Sequence, residues 1–344
     1  MNKKKLIWQL PFLAILVIGT IFIIRQQHVT PYQHDEGFVF GTIYHITYQS
    51  DENYQKEIEA ELQKVDQSLS PFNKGSIISK INRNENIKVD KMFKEVFQLA
   101  ENISKETNGA FDITVAPMVN TWGFGFKQGK APSKETIDSL KAIVGFHKVS
   151  LENDYIKKQN PNTMLDCSAI AKGYGSDVVA RLLKKKGVEN FMVEIGGEVV
   201  TCGNSEKRVP WRIGVNKPTD DSLNTNTELQ TVLNVTDKAM ATSGNYRNFY
   251  YKNGKKYAHT IDPKTGYPVQ HNILSATVIA NNCATADAFA TSFMVLGMDG
   301  TKKILEKHPE LLAYLIYSDA QGKNRVWYSP SINKILAEQS EISV

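Results

Sequence analysis

The sequence predicts one large unit, or two intimate ones, built from mixed sheets and helices and preceded by a single N-terminal transmembrane helix. Three observations predict it. An almost unbroken apolar run opens the chain. Strand-like and helix-like segments then alternate in irregular order. No internal repeat, low-complexity tract or P-loop interrupts them. The chain has 344 residues, 41% hydrophobic and 22% charged, which is enough to bury a sizeable core.

The apolar run extends from Leu6 to Ile24, with Gln9 and Pro11 as its blemishes. A stretch of ~20 apolar residues crosses a bilayer as a helix. Lys3, Lys4 and Lys5 precede it and only Arg25 closely follows. The positive-inside bias therefore keeps the N-terminus in the cytoplasm and puts the rest of the chain outside. Arg25-Gln26-Gln27-His28 lacks the small residues of a signal-peptidase site, and no cysteine precedes Cys167 to serve as a lipoprotein anchor. The expectation is a single-pass cell-membrane protein: an anchor at 1–25, a polar stalk at 26–36, an extracytoplasmic domain at 37–335 and a tail at 336–344.

Past the stalk, Gly37–Ser50 alternates and is rich in Ile, Tyr and Thr, as a strand would be. Ile58, Leu62, Val65 and Leu69 recur at helical spacing within Glu52–Leu69, and Pro71 to Gly75 reads as a turn. Asp90–Thr107 reads as a second amphipathic helix stopped at Asn108-Gly109. Lys172–Lys186 reads as a helix whose last lysines complement its dipole. Asn190–Val200, Trp211–Val215 and Leu229–Val235 read as strands, with a polar loop at Pro218–Thr227. Ala284–Leu296 reads as a helix with a small-residue face, stopped by Gly297.

Composition excludes several classes. The net charge is +5 and part of it is the N-terminal lysine cluster; no basic stripe with interleaved aromatics supports nucleic-acid binding. Cys167, Cys202 and Cys283 form no CxxC pair and have no His cluster, which argues against zinc and against a disulfide framework.

Five polar segments are candidates for chemistry. Asp166 to Gly175 follows an apolar stretch and opens a helix; free N–H groups there, with Lys172 nearby, suit an anion such as a pyrophosphate, although Asp166 could equally be a cap. Asp287 and Thr291 lie four residues apart, on one face of a helix rich in alanine, and offer hard oxygens to Mg²⁺, or are only a capping Asp and a packed Thr. His259 ends a strand ahead of the Asp262-Pro263 to Gly266 turn and is a candidate general base, against the commoner structural role of a lone histidine. Gly109-Ala110-Phe111 suits close approach of a flat ring, or is a plain helix-to-strand connection. Ala241 to Asn248 is a substrate loop or a hairpin turn.

In this order and spacing the segments resemble the ApbE-type FAD:protein FMN transferases across nearly all of residues 37–300. The resemblance rests on Phe40-Gly41-Thr42, Asn108 to Asp112, Asp166 to Tyr174 and Glu194-Ile195-Gly196-Gly197. It continues through Thr242 to Arg247, His259 to Pro263, and Ala286-Asp287 with Thr291. It implies an α+β flavin-binding fold, FAD as donor, Mg²⁺ as the metal and a Thr or Ser of an acceptor protein as the site that receives FMN through a phosphoester. Carried onto this sequence, it places FAD against Phe40, Phe72, Ala110, Phe111, Asp112, Asp166, Lys172 and Ile261. It places the metal on Asp287, Thr291 and backbone oxygens near Ala169 and Ala290. The family usually has Met at the position of Phe40 and often Tyr at that of Phe72; both replacements stay large and apolar. His259 and Asp287 become the candidate catalytic residues, AMP the leaving group, and an exported or membrane flavoprotein the acceptor. Two alternatives share these residues: an FAD pyrophosphatase, in which water replaces the acceptor hydroxyl, and a non-catalytic flavin-binding surface protein, which would not need Asp287, Thr291 and Lys172 together.

Overall fold

In this computed structural model the described residues are 11–20, 29–124, 132–218, 228–245, 249–252 and 255–337. Residues 11–20 are helical and exposed (α1). The remainder of the predicted anchor, and residues 26–28 of the predicted stalk, lie outside the described residues. Among the described residues no helix is long and apolar enough to cross a membrane.

The strands in chain order are β1 (Tyr32–Val39), β2 (Thr42–Gln49), β3 (Val149–Glu152), β4 (Tyr155–Lys158), β5 (Phe191–Ile195), β6 (Glu198–Cys202), β7 (Trp211–Asn216), β8 (Leu229–Val235), β9 (Ala239–Gly244), β10 (Phe249–Lys252), β11 (Lys255–Ala258), β12 (Ile273–Ala280), β13 (Leu312–Ser318) and β14 (Asn324–Tyr328). The helices that follow α1 are α2 (Gln55–Leu69), α3 (Ile77–Asn82), α4 (Lys91–Glu106), α5 (Ala116–Trp122), α6 (Lys134–Lys141), α7 (Ala171–Lys185) and α8 (Cys283–Lys307). Eight strands form one antiparallel sheet in the order β1-β2-β5-β6-β9-β12-β13-β14. With its helices, this is the α+β class.

Alternation along the central strands gives the sheet two apolar faces. Tyr44, Ile46, Val193, Val200, Ala241, Val278 and Leu315 face a helical layer that includes Leu62 of α2, Phe93 of α4, Val179 of α7 and Phe293 of α8. Val199, Met240, Ile279 and Ile316 point the other way, onto the β7–β8 ribbon through Trp211, Ile213 and Leu233. Burial on both faces is why these strands read as apolar runs rather than as half-polar alternation.

Several sequence expectations hold in detail. Asp90 caps α4, accepting the Phe93 N–H at 2.7 Å, and Asn108 and Gly109 follow the helix at positive φ. Gly297 breaks α8 with φ 72°, after which helical bonding resumes to Lys307. Others need correction. Gly37–Ser50 is not one strand: Phe40 (φ 51°) and Gly41 (φ 76°) turn it back as a hairpin, with the two consecutive positive-φ residues that match strand twist. Gly196 and Gly197 divide Asn190–Val200 in the same way. Residues 32–36 are not stalk but the first part of β1, where buried Asp35 accepts from Tyr48 Oη at 2.8 Å and from Asn53 Nδ2 at 2.9 Å. Residues 336–337 are not free tail, since the Ala337 N–H donates to Val232 O at 3.0 Å and Leu336 bridges Leu233; 338–344 lie outside the described residues. Asn108 to Pro117 leads into α5 rather than a strand. Of the polar loop at 218–227, residues 219–227 lie outside the described residues.

Candidate active site

At one end of the sheet the β1–β2 and β5–β6 turns and the end of β9 meet α7 and the inner face of α8. They enclose a cavity of 860 Å³. Its wall includes Phe40, Phe72, Ala110, Phe111, Asp112, Asp166, Ala169, Lys172, His259, Ile261, Asp287 and Thr291. Eleven widely separated candidates from the sequence, with Ala169, are thus brought to one place. Ala290, expected to offer a backbone oxygen, is not part of the wall; it lies between Asp287 and Thr291 on the helix, with its side chain in the core.

The crossing of α7 and α8 builds the charged centre. A Cβ on Gly173 would stand 2.4 Å from Cys283 O and 2.9 Å from Ala284 N, so glycine is what lets the two helix starts touch. The contact is reciprocal. Asp177 of α7 accepts the Cys283 and Ala284 N–H groups of α8 at 2.8 and 2.9 Å. Asp287 of α8 accepts the Gly173 N–H of α7 at 3.1 Å. Each carboxylate complements the positive end of the other helix.

Lys172 Nζ lies 2.6 Å from Glu198 Oε2, whose residue is 2% exposed. Burial pushes the carboxyls of Glu198 and Asp287 upward, and the nearby Lys172 ammonium opposes that rise in both. Burial would also lower the Lys172 ammonium, but Glu198 and Asp287 outweigh it and hold Lys172 above its ordinary value. Two carboxyls face one ammonium here, so the centre would carry an excess negative charge once both are ionised, as a bound cation would favour. Thr291 adds a hydroxyl to the same wall, 3.1 Å from the Ser243 hydroxyl at the end of β9. Hard oxygens and surplus negative charge fit a magnesium ion on Asp287 and Thr291. Among the described residues no group of three or more His, Cys, Asp or Glu side chains converges to hold a metal. Such an ion would therefore draw on hydroxyl, backbone, water or phosphate oxygens as well, which suits Mg²⁺ better than zinc.

The apolar part of the wall is shaped by loops. Asp112 lines the wall, but its carboxylate is engaged by the Thr114 N–H and hydroxyl, at 2.8 and 2.6 Å, and by the Phe146 N–H at 2.7 Å. It fixes the Ala110–Phe111 segment rather than presenting free oxygens. Phe40 reaches over Gly175, where a Cβ would meet its ring at 2.6 Å. Phe72 is 70% exposed at the opening.

One feature of the anion site differs from expectation. Helix α7 starts at Ala171, so Asp166 is not its cap; it accepts the Ser168 N–H at 2.8 Å in the preceding turn. The N–H groups of Ile170 and Ala171 both donate to Cys167 O. Lys172 itself, rather than a row of open N–H groups, supplies most of the positive character there. Sequence reasoning missed Glu198 and Asp177. Glu198 had a signal, an acid directly after Gly196-Gly197 in an otherwise apolar strand. Asp177 had another, an acid just ahead of Val178, Val179 and Ala180 in a mid-helix apolar stretch.

A cavity of this size, lined both by Phe40, Phe111 and Ile261 and by Lys172, Glu198 and Asp287, on an α+β scaffold, has the room and the chemistry for a large phosphorylated ligand with a flat ring. Comparison with known proteins narrows this class. The ApbE family model matches residues 40–316, and the chain belongs to the ApbE family. It is 38% identical to the FAD:protein FMN transferase of Haemophilus influenzae, over 89% of this chain and 91% of that one. It is 32% identical to the protein of the same name from Escherichia coli K12, over 91% of both chains. The solved flavin transferase ApbE from Vibrio cholerae superposes with a TM-score of 0.80 at 34% identity, covering 89% of this chain and 99% of that one.

Proposed function

We propose that this protein is a magnesium-dependent FAD:protein FMN transferase. It cleaves FAD, attaches FMN through a phosphoester to a Thr or Ser of an exported or membrane flavoprotein, and releases AMP. The observation that carries this reading is the Lys172–Glu198–Asp287–Thr291 centre in the wall of a cavity that Phe111, Ala110 and Ile261 also line. The apolar part of the wall suits the flavin ring, and the charged centre suits the pyrophosphate.

Asp287 and Thr291 would hold a magnesium ion, which would supply charge neutralisation to the pyrophosphate. Lys172 adds a fixed positive charge, and Glu198 holds its ammonium in place. His259, on the cavity wall, takes the proton of the attacking acceptor hydroxyl, whose oxygen bonds to the FMN-side phosphorus as the bond to AMP breaks. The anhydride of FAD supplies the driving force, so no second nucleotide is required. This suits a catalytic domain on the extracytoplasmic side of a membrane, anchored by the N-terminal apolar segment.

The test is to incubate the full-length protein in detergent with FAD, Mg²⁺ and an exported flavoprotein bearing the family's acceptor motif, then weigh the acceptor. A magnesium-dependent gain of one FMN unit on a Thr or Ser is expected. AMP and free FMN with an unmodified acceptor would favour the pyrophosphatase; bound, uncleaved FAD would leave only a binder.

A further inference from the structure

His259 and Ile261, both on the cavity wall, belong to a loop that closes on itself. The Asp262 N–H donates to Tyr267 O at 2.9 Å, the Gly266 N–H to Asp262 O at 2.8 Å and the Val269 N–H to Thr260 O at 3.0 Å. These bonds stiffen the loop as a unit but do not place it relative to the rest of the protein. Side-chain bonds also reach outside it at both ends. At the far end, Trp122 Nε1 donates to Gly266 O at 2.8 Å. At the near end, the Thr260 hydroxyl donates to Asn245 Oδ1 at 2.7 Å. Both partners of the near bond are buried, at 7% and 8% exposed.

The position of Asn245 gives that near bond its meaning. Asn245 follows β9 directly, and its own N–H donates to Leu274 O at 3.0 Å, which anchors it to the start of β12. Two residues earlier Ser243 touches the Thr291 hydroxyl. One short stretch of backbone therefore contacts both the oxygen-rich face of α8 and the residue next to His259. We infer that Asn245 is a positioning residue: through Thr260 it sets the spacing between His259 and the Asp287–Thr291 face. This rests on the transferase reading for the role of His259. It also assigns work to two buried polar groups, of which Thr260 lines the cavity beside His259.

The consequence is selective. Losing the bond leaves the apolar wall and Lys172 in place, so FAD still binds, but the base is no longer held at its distance. Small displacements of a catalytic group cost up to ~10²-fold in rate. The experiment compares Thr260→Val, Thr260→Ser and Asn245→Ala with the wild type, full length in detergent, following AMP release from FAD with Mg²⁺, with and without the acceptor flavoprotein. Thr260→Val and Asn245→Ala are expected to lower kcat roughly 10- to 100-fold with KM for FAD nearly unchanged, and Thr260→Ser to restore kcat. The double variant is expected to be no worse than either single one. Wild-type kcat in Thr260→Val, failure of Thr260→Ser to restore it, or a loss confined to KM would each overturn the proposal. If the wild type releases AMP without modifying the acceptor, the transfer step fails instead, and the kcat–KM split in hydrolysis still decides the role of Asn245.

Discussion

Asp177 and Asp287 occupy mirrored positions at one helix crossing, yet they serve different ends. Each carboxylate sits at the start of the partner helix. Asp177 is held by two backbone N–H groups, at 2.8 and 2.9 Å, and does not line the cavity. Asp287 has a single longer backbone bond, at 3.1 Å, and does line it. Asp177 is therefore a fastening between α7 and α8. Asp287 borrows the same device for orientation and keeps an oxygen available to the site. Burial and a helix dipole are common to both acids; what sets Asp287 apart is that it also lines the cavity.

The comparison can be broken most forcefully at Asp287. Asp287→Asn keeps an oxygen for the Gly173 N–H but removes the charge. AMP release is expected to fall at least ~10²–10³-fold, with the melting temperature unchanged or raised because a buried charge is gone. A melt by circular dichroism alongside the rate assay checks both halves. Asp177→Ala should do the reverse. Two buried N–H groups lose their acceptor, at a cost of about 2–5 kcal/mol in urea unfolding, while the protein that remains folded keeps its turnover.

The pH dependence sharpens the contrast. Burial pushes the Asp177 carboxyl up to about 6, against the opposing pull of its two N–H donors. A folded pKa above the unfolded one means the folded state holds the proton more tightly. The stability contributed by Asp177 is therefore fully present below about pH 4 and is lost as pH rises through about 6. Over roughly two pH units this amounts to at most about 3 kcal/mol. Wild-type minus Asp177→Asn stability, measured by urea titration, should fall by up to that amount between pH 4 and pH 7; a flat difference would contradict it. The smallest effect belongs outside the crossing. Trp122→Phe removes the N–H that meets Gly266 O and should cost about 1 kcal/mol of stability.

What was legible in the sequence followed locality. The α4 cap at Asp90, the Asp262–Gly266 turn and the Asp287/Thr291 face depend on residues within four positions of each other, where helix and turn geometry act directly. The hairpin at Phe40-Gly41 was hidden because phenylalanine is a poor residue for positive φ, so alternation seemed to run on through it. The pairing of Lys172 with Glu198, and of Asp177 with the start of α8, depends on which strands become neighbours and on how closely Gly173 lets two helices approach. Neither follows from periodicity. Most of the residues that line the cavity, by contrast, were named from the sequence, because the order of the polar segments carried a family resemblance that single motifs lacked.

The central claim is that Asp287, and not its mirrored neighbour, belongs to the chemistry. The direct test is the mass of an acceptor flavoprotein after incubation with FAD, Mg²⁺ and either Asp287→Asn or Asp177→Asn protein, both assayed at a temperature where each is folded. An FMN adduct is expected with Asp177→Asn and none with Asp287→Asn. An adduct formed at the wild-type rate by Asp287→Asn would contradict it.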